Sequence, residues 1–244
     1  VRAARFRPEP TGRPAARNGG RQGTGEVMER MHADESSAHG GAEVYLDNAA
    51  TAPMHPRVIE AVSAVMRDAY GNPSSQHAKG RAARALLDES RAVVAEAVGA
   101  FPDEIYFTSG GTEANNLAIT GSCSAYARDH GRAGGGGHVR ARTPSVTKTV
   151  RGLKRDGWTV FYLDARDGEL DLSGLDRILD EVPDVVLATV MSVQSELGYR
   201  FPIEDVVRRC RAVGCARKTR GPLVHTDAVQ AFGEAAPRRA RAGR

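Results

Sequence analysis

From about residue 44 onward the chain alternates between two kinds of hydrophobic spacing. Residues 55–69 carry Val58, Ala61, Val62, Val65, Met66 and Ala69 at intervals of three and four, the spacing of one helical face. Gly71-Asn72-Pro73-Ser74-Ser75 breaks that repeat, because glycine, proline and small polar residues favour turns. A second helix is expected over 78–98, with Ala82, Leu86, Val93, Val94 and Ala97 along it. Residues 104–108, Glu-Ile-Tyr-Phe-Thr, read as a short strand, followed by Ser109-Gly110-Gly111-Thr112 and a helical stretch over 113–128. Beyond a glycine-rich loop at 131–137, the runs 160–163, 185–191 and 223–226 read as strands. Helical patterns at 146–155, 172–179 and 203–213 separate them. This alternation predicts an α/β fold with a mostly parallel sheet and helices on both faces. No internal repeat is visible.

Composition divides the chain into three parts. Residues 1–40 are rich in Arg, Pro, Gly and Ala without aliphatic periodicity, so a disordered basic extension is expected there. Its Pro and Gly content argues against the amphipathic helix of a transit peptide. The chain opens on Val1, which makes Met28 and Met31 candidate starts. The ordered domain spans 41–233, and 234–244 is an Ala/Arg-rich tail. The net charge of +4 sits in the two ends, since 41–233 holds 23 basic against 24 acidic residues. One basic cluster, Arg208, Arg209, Arg211, Arg217, Lys218 and Arg220, has no acid within it. It also lacks the interleaved aromatics of a nucleic-acid groove, and a solvated helix end is the expectation. No run approaches the roughly 18 apolar residues of a membrane helix. Cys123, Cys210 and Cys215 are too few and scattered for a disulfide scaffold or a zinc site. No metal is expected, and the setting is expected to be reducing and cytoplasmic.

Chemistry is expected at the carboxyl ends of the strands, where α/β sheets bind ligands. Ser109-Gly110-Gly111-Thr112-Glu113 joins a strand to a helix, and its freed N–H groups with the Thr112 hydroxyl could cradle a phosphate. An ordinary helix cap at Thr112 reads equally from the residues. Val224-His225-Thr226-Asp227-Ala228-Val229-Gln230 ends the last strand. Its carboxylate suits a protonated ring nitrogen, or an N-cap for a following helix. Ser192-Val193-Gln194-Ser195-Glu196-Leu197-Gly198 follows the run 185–191 and could be a plain loop.

In this order the segments YLDNAAT (45–51), GNPSS (71–75), FTSGGTEANN (107–116), ELG (196–198) and VHTDAVQAFG (224–233) resemble the cysteine desulfurase and selenocysteine lyase family. These are class V aminotransferases that use pyridoxal 5′-phosphate (PLP). The glycine-rich stretch near 134–138 and the approach to Leu223 look more like the selenocysteine lyases. The resemblance implies the large domain of the PLP-dependent transferase fold type I, incomplete at its C-terminus, in a homodimer. Gly111 and Thr112 would grip the cofactor phosphate. Asp227 would hold the pyridine nitrogen protonated, keeping the ring an electron sink. Gln230 would touch the ring's phenolic oxygen and Ser195 the cofactor and substrate. Asn48, Asn72 and His77 lie in loops that would border the substrate cleft. The implied substrate is selenocysteine or cysteine, converted to alanine plus selenium or sulfur.

Three departures accompany the resemblance. Where the family stacks a His on the ring, the aligned pair is Arg142-Thr143. Where it has Asn-Asn-Glu, this chain has Gln194-Ser195-Glu196. The Schiff-base lysine and the catalytic cysteine would lie beyond Gly233. None of Lys79, Lys148, Lys154 and Lys218 sits at a strand end, where burial could lower an amine's pKa. Cys123 reads as a core residue. No catalytic residue is therefore expected in this chain, which reads as inactive. The alternative is a non-catalytic isoform or incomplete gene product that at most pairs with a full-length subunit.

Overall fold

A computed structural model describes residues 44–131 and 144–233. The chain divides into two units, Val1–Leu46 and Asp47–Arg244. In the first, only residues 44–46 are described, without regular structure. The expected extension over 1–40, the tail 234–244 and Thr143 lie outside the described residues, as does most of the loop 131–137.

In the second unit, helix α1 (Pro56–Asp68) starts where His55 Nδ1 accepts the Arg57 N–H at 3.2 Å, with proline in the first turn. Proline is tolerated there because its missing N–H has no partner to lose. No residue of α1 is buried. Helix α2 (Ala78–Val98) is capped by His77, whose Nδ1 accepts the Gly80 N–H at 3.3 Å. Helices α3 (Gly111–His130) and α4 (Pro144–Arg155) follow. The short strands β1 (Ala165–Arg166) and β2 (Glu169–Leu170) pair antiparallel. Then come α5 (Leu172–Glu181), β3 (Leu187–Thr189), α6 (Ile203–Arg217) and β4 (Leu223–His225).

Strands β3 and β4 run parallel, Leu187 opposite Leu223, Ala188 opposite Val224 and Thr189 opposite His225. Residues 185–192 are all buried, which requires apolar material on both sides. One side is filled by Ile119 and Cys123 of α3 and by Val146, Val150 and Leu153 of α4, packed with Trp158, Val186 and Leu187. The other is filled by Leu175 and Leu179 of α5 and by Val206 and Cys210 of α6, packed with Val185, Ala188 and Val190. Helices on both faces of a parallel pair are what the alternation predicts.

Individual strands differ from expectation. Residues 104–108 make no ladder; Pro102–Glu104 is a 3₁₀ turn, closed by the Glu104 carboxylate accepting the Phe101 N–H at 2.9 Å. Among the described residues no strand lies beside this run, and β propensity is realised only against a partner. Residues 160–163 likewise make no ladder, although Val160 and Leu163 are buried. The hairpin β1–β2 was not expected from the sequence. Its turn, Asp167-Gly168, has φ of 49° and 83° at its two residues, the signature of a type I′ turn that Asp-Gly favours. A Cβ on Gly168 would lie 2.5 Å from the Tyr199 ring, so no larger residue fits.

Of the basic cluster, Arg208, Arg211, Lys218 and Arg220 are exposed, as a solvated helix end would be, while three members make contacts within the chain. Arg208 pairs with Asp205 at 2.7 Å and Arg209 with Asp176 at 2.9 Å. Arg217 donates to the carbonyls of Val182 at 3.2 Å and Pro183 at 2.9 Å, and to that of Leu179. These are orphan acceptors at the end of α5, so the guanidinium caps that helix and complements its dipole.

Leu179, 1% exposed, anchors α5 in this core. Leu179→Ala is expected to lower unfolding free energy by about 2–5 kcal/mol, read as a lower urea midpoint at unchanged slope.

Candidate functional site

The pairing of β3 with β4 continues past the last regular residue. The Ser192 N–H donates to the Asp227 carbonyl at 2.8 Å, and the Ser192 and Thr226 hydroxyls lie 2.8 Å apart. Asp227 is thereby fixed two residues beyond the carboxyl end of β4. Its Oδ1 accepts the Val229 N–H at 3.1 Å, a local turn closed by the side chain. Its Oδ2 accepts from Asn115 Nδ2 at 2.8 Å.

Asn115 belongs to the first turns of α3 and is buried, so this bond brings the start of that helix to Asp227. No side chain caps α3 at Gly110. The first intrahelical bond is Ala114 N–H to the Gly110 carbonyl at 3.0 Å. The N–H groups of Gly111, Thr112 and Glu113 therefore have no acceptor within the helix, an arrangement that favours an anion at this turn. A Cβ on Gly111 would stand 3.2 Å from Val229 Cγ2, so glycine lets the 227–230 segment approach the helix start. Gln230 Nε2 donates to the Ala49 carbonyl at 2.8 Å and draws in the 47–50 turn, which contains Asn48. Gly111, Thr112, Asp227, Gln230 and the turn holding Asn48 thus meet at one end of the sheet.

Two neighbouring charges are controlled. Glu113 Oε2 accepts the Ser109 hydroxyl at 2.6 Å and the Ser109 N–H at 2.7 Å. The Ser109 hydroxyl first, then its N–H, hold the Glu113 carboxyl below its ordinary range. His225 Nδ1 lies 2.7 Å from the Thr189 hydroxyl. Burial pushes the imidazole below its ordinary value, against the opposing pull of the Asp227 charge. On the far side of α3, Asn116 accepts the Thr149 hydroxyl at 2.6 Å and donates to the Thr112 carbonyl at 2.8 Å, tying α4 to the cradle.

Other residues singled out in the sequence stand apart. Asn72 turns its Oδ1 onto the Ser74 N–H at 2.9 Å. Ser195 is exposed in a turn where Gln194 Oε1 accepts the Glu196 N–H at 2.8 Å and the Leu197 N–H. Among the described residues neither Asn72 nor Ser195 hydrogen-bonds to the Asp227 cluster, and His77 serves as the cap of α2. Lys79 Nζ reaches the Asp68 carbonyl at 3.3 Å and lies over the Tyr70 ring. Lys154 lies over Tyr162, 5.1 Å from the ring centre. Lys148 shares the exposed face of α4 with Arg151 and Lys154, and Lys218 is exposed after α6. Burial raises the Cys123 and Cys210 thiols to about 11, which keeps them protonated and unreactive. Among the described residues no three His, Cys, Asp or Glu side chains are grouped to hold a metal.

Asn115 is the residue that sequence reasoning missed. A signal existed, because Asn115, Ile119 and Cys123 recur every four residues along the buried face of α3. A polar side chain on an apolar stripe needs a partner.

Two outcomes follow from these charges. The unfolded chain takes up a proton near pH 6.5 that the buried His225 ring refuses. Stability should therefore fall as pH drops below that value, and His225→Gln should make the fall in melting temperature from pH 7 to 5.5 shallower. Ser109→Ala should move the Glu113 carboxyl up toward its ordinary value in an NMR titration.

Residues 44–241 match the class-V aminotransferase family. The cysteine desulfurase IscS of Dechloromonas aromatica is 39% identical over 196 residues, covering 78% of this chain and 45% of that protein. The mitochondrial cysteine desulfurase of Drosophila melanogaster is 35% identical over 199 residues, covering 80% of this chain and 40% of its own length. Among solved structures, a NifS-like protein superposes with a TM-score of 0.71 at 32% identity, covering 81% of this chain and 52% of that one. A structure titled SspA in complex with cysteine gives 0.67 at 30% identity, covering 78% and 52%. The chain spans about half the length of the curated relatives it matches. Its layers are those of the large domain of fold type I, and the chain belongs to the class-V aminotransferase family, among the PLP-dependent cysteine desulfurases.

Proposed function

We propose that the cluster at the carboxyl end of β4 is a PLP site and that the chain carries the cofactor-binding half of a cysteine desulfurase or selenocysteine lyase. The observation behind this is the Asn115–Asp227 bond, which sets a carboxylate beside an uncapped helix start. The residues suit the group. The first-turn N–H groups of α3 and the Thr112 hydroxyl would take the phosphate, with Gly111 leaving room for the 227–230 segment. Asp227 would hold a proton on the pyridine nitrogen, and the second N–H of the Gln230 amide would reach the phenolic oxygen. Neutral His225 adds no cation to compete for Asp227. When bound, PLP supplies an electron sink for the substrate's Cα.

The substrate in this reading is cysteine or selenocysteine, with alanine and the chalcogen as products. Asn48, Asn72 and Ser195 would border its cleft, and the free state of all three cysteines suits a reducing compartment such as the cytoplasm. The exposed apolar side of α1, with Val58, Ile59, Val62 and Met66, suits burial in a homodimer or against a longer subunit. In these 244 residues the four lysines are engaged or exposed away from Asp227, so cofactor binding would be reversible and turnover absent.

The test incubates the full chain with PLP, reduces with borohydride and maps adducts by mass spectrometry. The expected outcome is saturable binding, weakened at least tenfold by Asp227→Ala, with no pyridoxyl-lysine and no alanine from cysteine or selenocysteine. A stoichiometric adduct at Lys148, or steady alanine release, would overturn the non-covalent reading. Absence of saturable binding would overturn the site.

A further inference from the structure

We infer that Asn115 is a positioning residue for the cofactor ring, acting through Asp227. The inference rests on the PLP reading of the site. Asp227 has two carboxylate oxygens and about four acceptor positions. The Val229 N–H takes one on Oδ1 at 3.1 Å, and Asn115 Nδ2 takes one on Oδ2 at 2.8 Å. Two donors on different oxygens fix the rotation of the carboxylate plane as well as its place. Each oxygen keeps acceptor capacity for a ring N–H.

The source of the second donor matters. Asn115 is 4% exposed, and an amide that deep is in place only because it is paired. It stands three residues after Thr112 on the same helix, a rise of about 4.5 Å along the axis. The turn that would hold the phosphate and the amide that aims the carboxylate are therefore parts of one rigid element. Asn116, next along, donates to the Thr112 carbonyl at 2.8 Å and is held by Thr149 at 2.6 Å, which fixes the helix start in turn. The spacing between the phosphate cradle and the amide that holds Asp227 is set by helix geometry. A ligand with an anionic group at one end and a ring N–H at the other fits that spacing. A ligand carrying the anion alone gains nothing from Asn115.

The experiment uses the full chain and two probes, PLP and its carbocyclic analogue with CH in place of the ring nitrogen. Dissociation constants are measured for wild type, Asn115→Ala, Asn115→Leu, Asp227→Asn and Asn115→Ala/Asp227→Asn, with far-UV circular dichroism reporting the fold. Asn115→Ala is expected to weaken PLP by about tenfold, the scale of a hydrogen bond to a charged group. It is expected to change analogue binding less than about twofold, and to add nothing on the Asp227→Asn background. Equal losses for both probes, no loss for either, or failure of both Asn115 variants to fold would show a packing role and overturn the inference. Wild type binding neither probe would overturn the PLP reading itself. Wild type binding PLP with no discrimination in the variants would overturn only the role of Asn115.

Discussion

A backbone buried on both faces must find a partner for each N–H and C=O inside the protein, because water cannot reach it. Residues 185–192 are such a backbone, and the parallel pairing with residues 223–227 meets the demand along one edge. The ladder extends from the Leu223 N–H on the Val186 carbonyl at 2.9 Å to the Ser192 N–H on the Asp227 carbonyl at 2.8 Å. Everything else follows from that pairing. The two apolar layers flank it, α6 exists to bring the second strand back alongside the first, and Asp227 emerges where the pairing ends.

The site is assembled at that end because three separate segments have reason to meet there. Helix α3 packs Ile119 and Cys123 under β3, which sets its first turn level with the strand ends. The 227–230 segment then closes against Gly111, and the Gln230 amide reaches the Ala49 carbonyl. Glu113, the acidic residue of the first turn, is folded back onto Ser109. The helix start thus keeps its N–H groups facing outward, where an anion is favoured. Burial of the half-buried His225 pushes its imidazole below the ordinary value, against the opposing pull of the Asp227 charge.

Arginine does the structural work that lysine could do in another protein. Arg217 caps α5 with several donors at once, and Arg209 crosses to Asp176 of the same helix. A planar guanidinium offers five donors in a fixed fork, against three on the flexible stem of an ammonium. Within these 244 residues the lysine side chains are Lys79, Lys148, Lys154 and Lys218, and each is exposed.

Much of this was legible in the amino-acid order. Helical spacing placed α1, α2 and α5 within two residues at either end, because an amphipathic stripe and its capping residues are local properties. The ordered polar segments from Asn48 to Gln230 pointed to the family and its cofactor. Strands were legible only where burial was total, as at 185–191, since a strand exists only beside a partner. The run 104–108 has strand composition and no neighbour, while the Asp167-Gly168 hairpin formed from a two-residue turn signal. The bond from Asn115 to Asp227 joins residues 112 positions apart, and no local spacing encodes it. The residue types suited to a phosphate or a ring nitrogen, Gly111, Thr112 and Asp227, are readable from the amino-acid order because their chemistry is local. Which of them face each other was decided by tertiary structure, through the packing of α3 on β3 and the pairing that ends at Asp227.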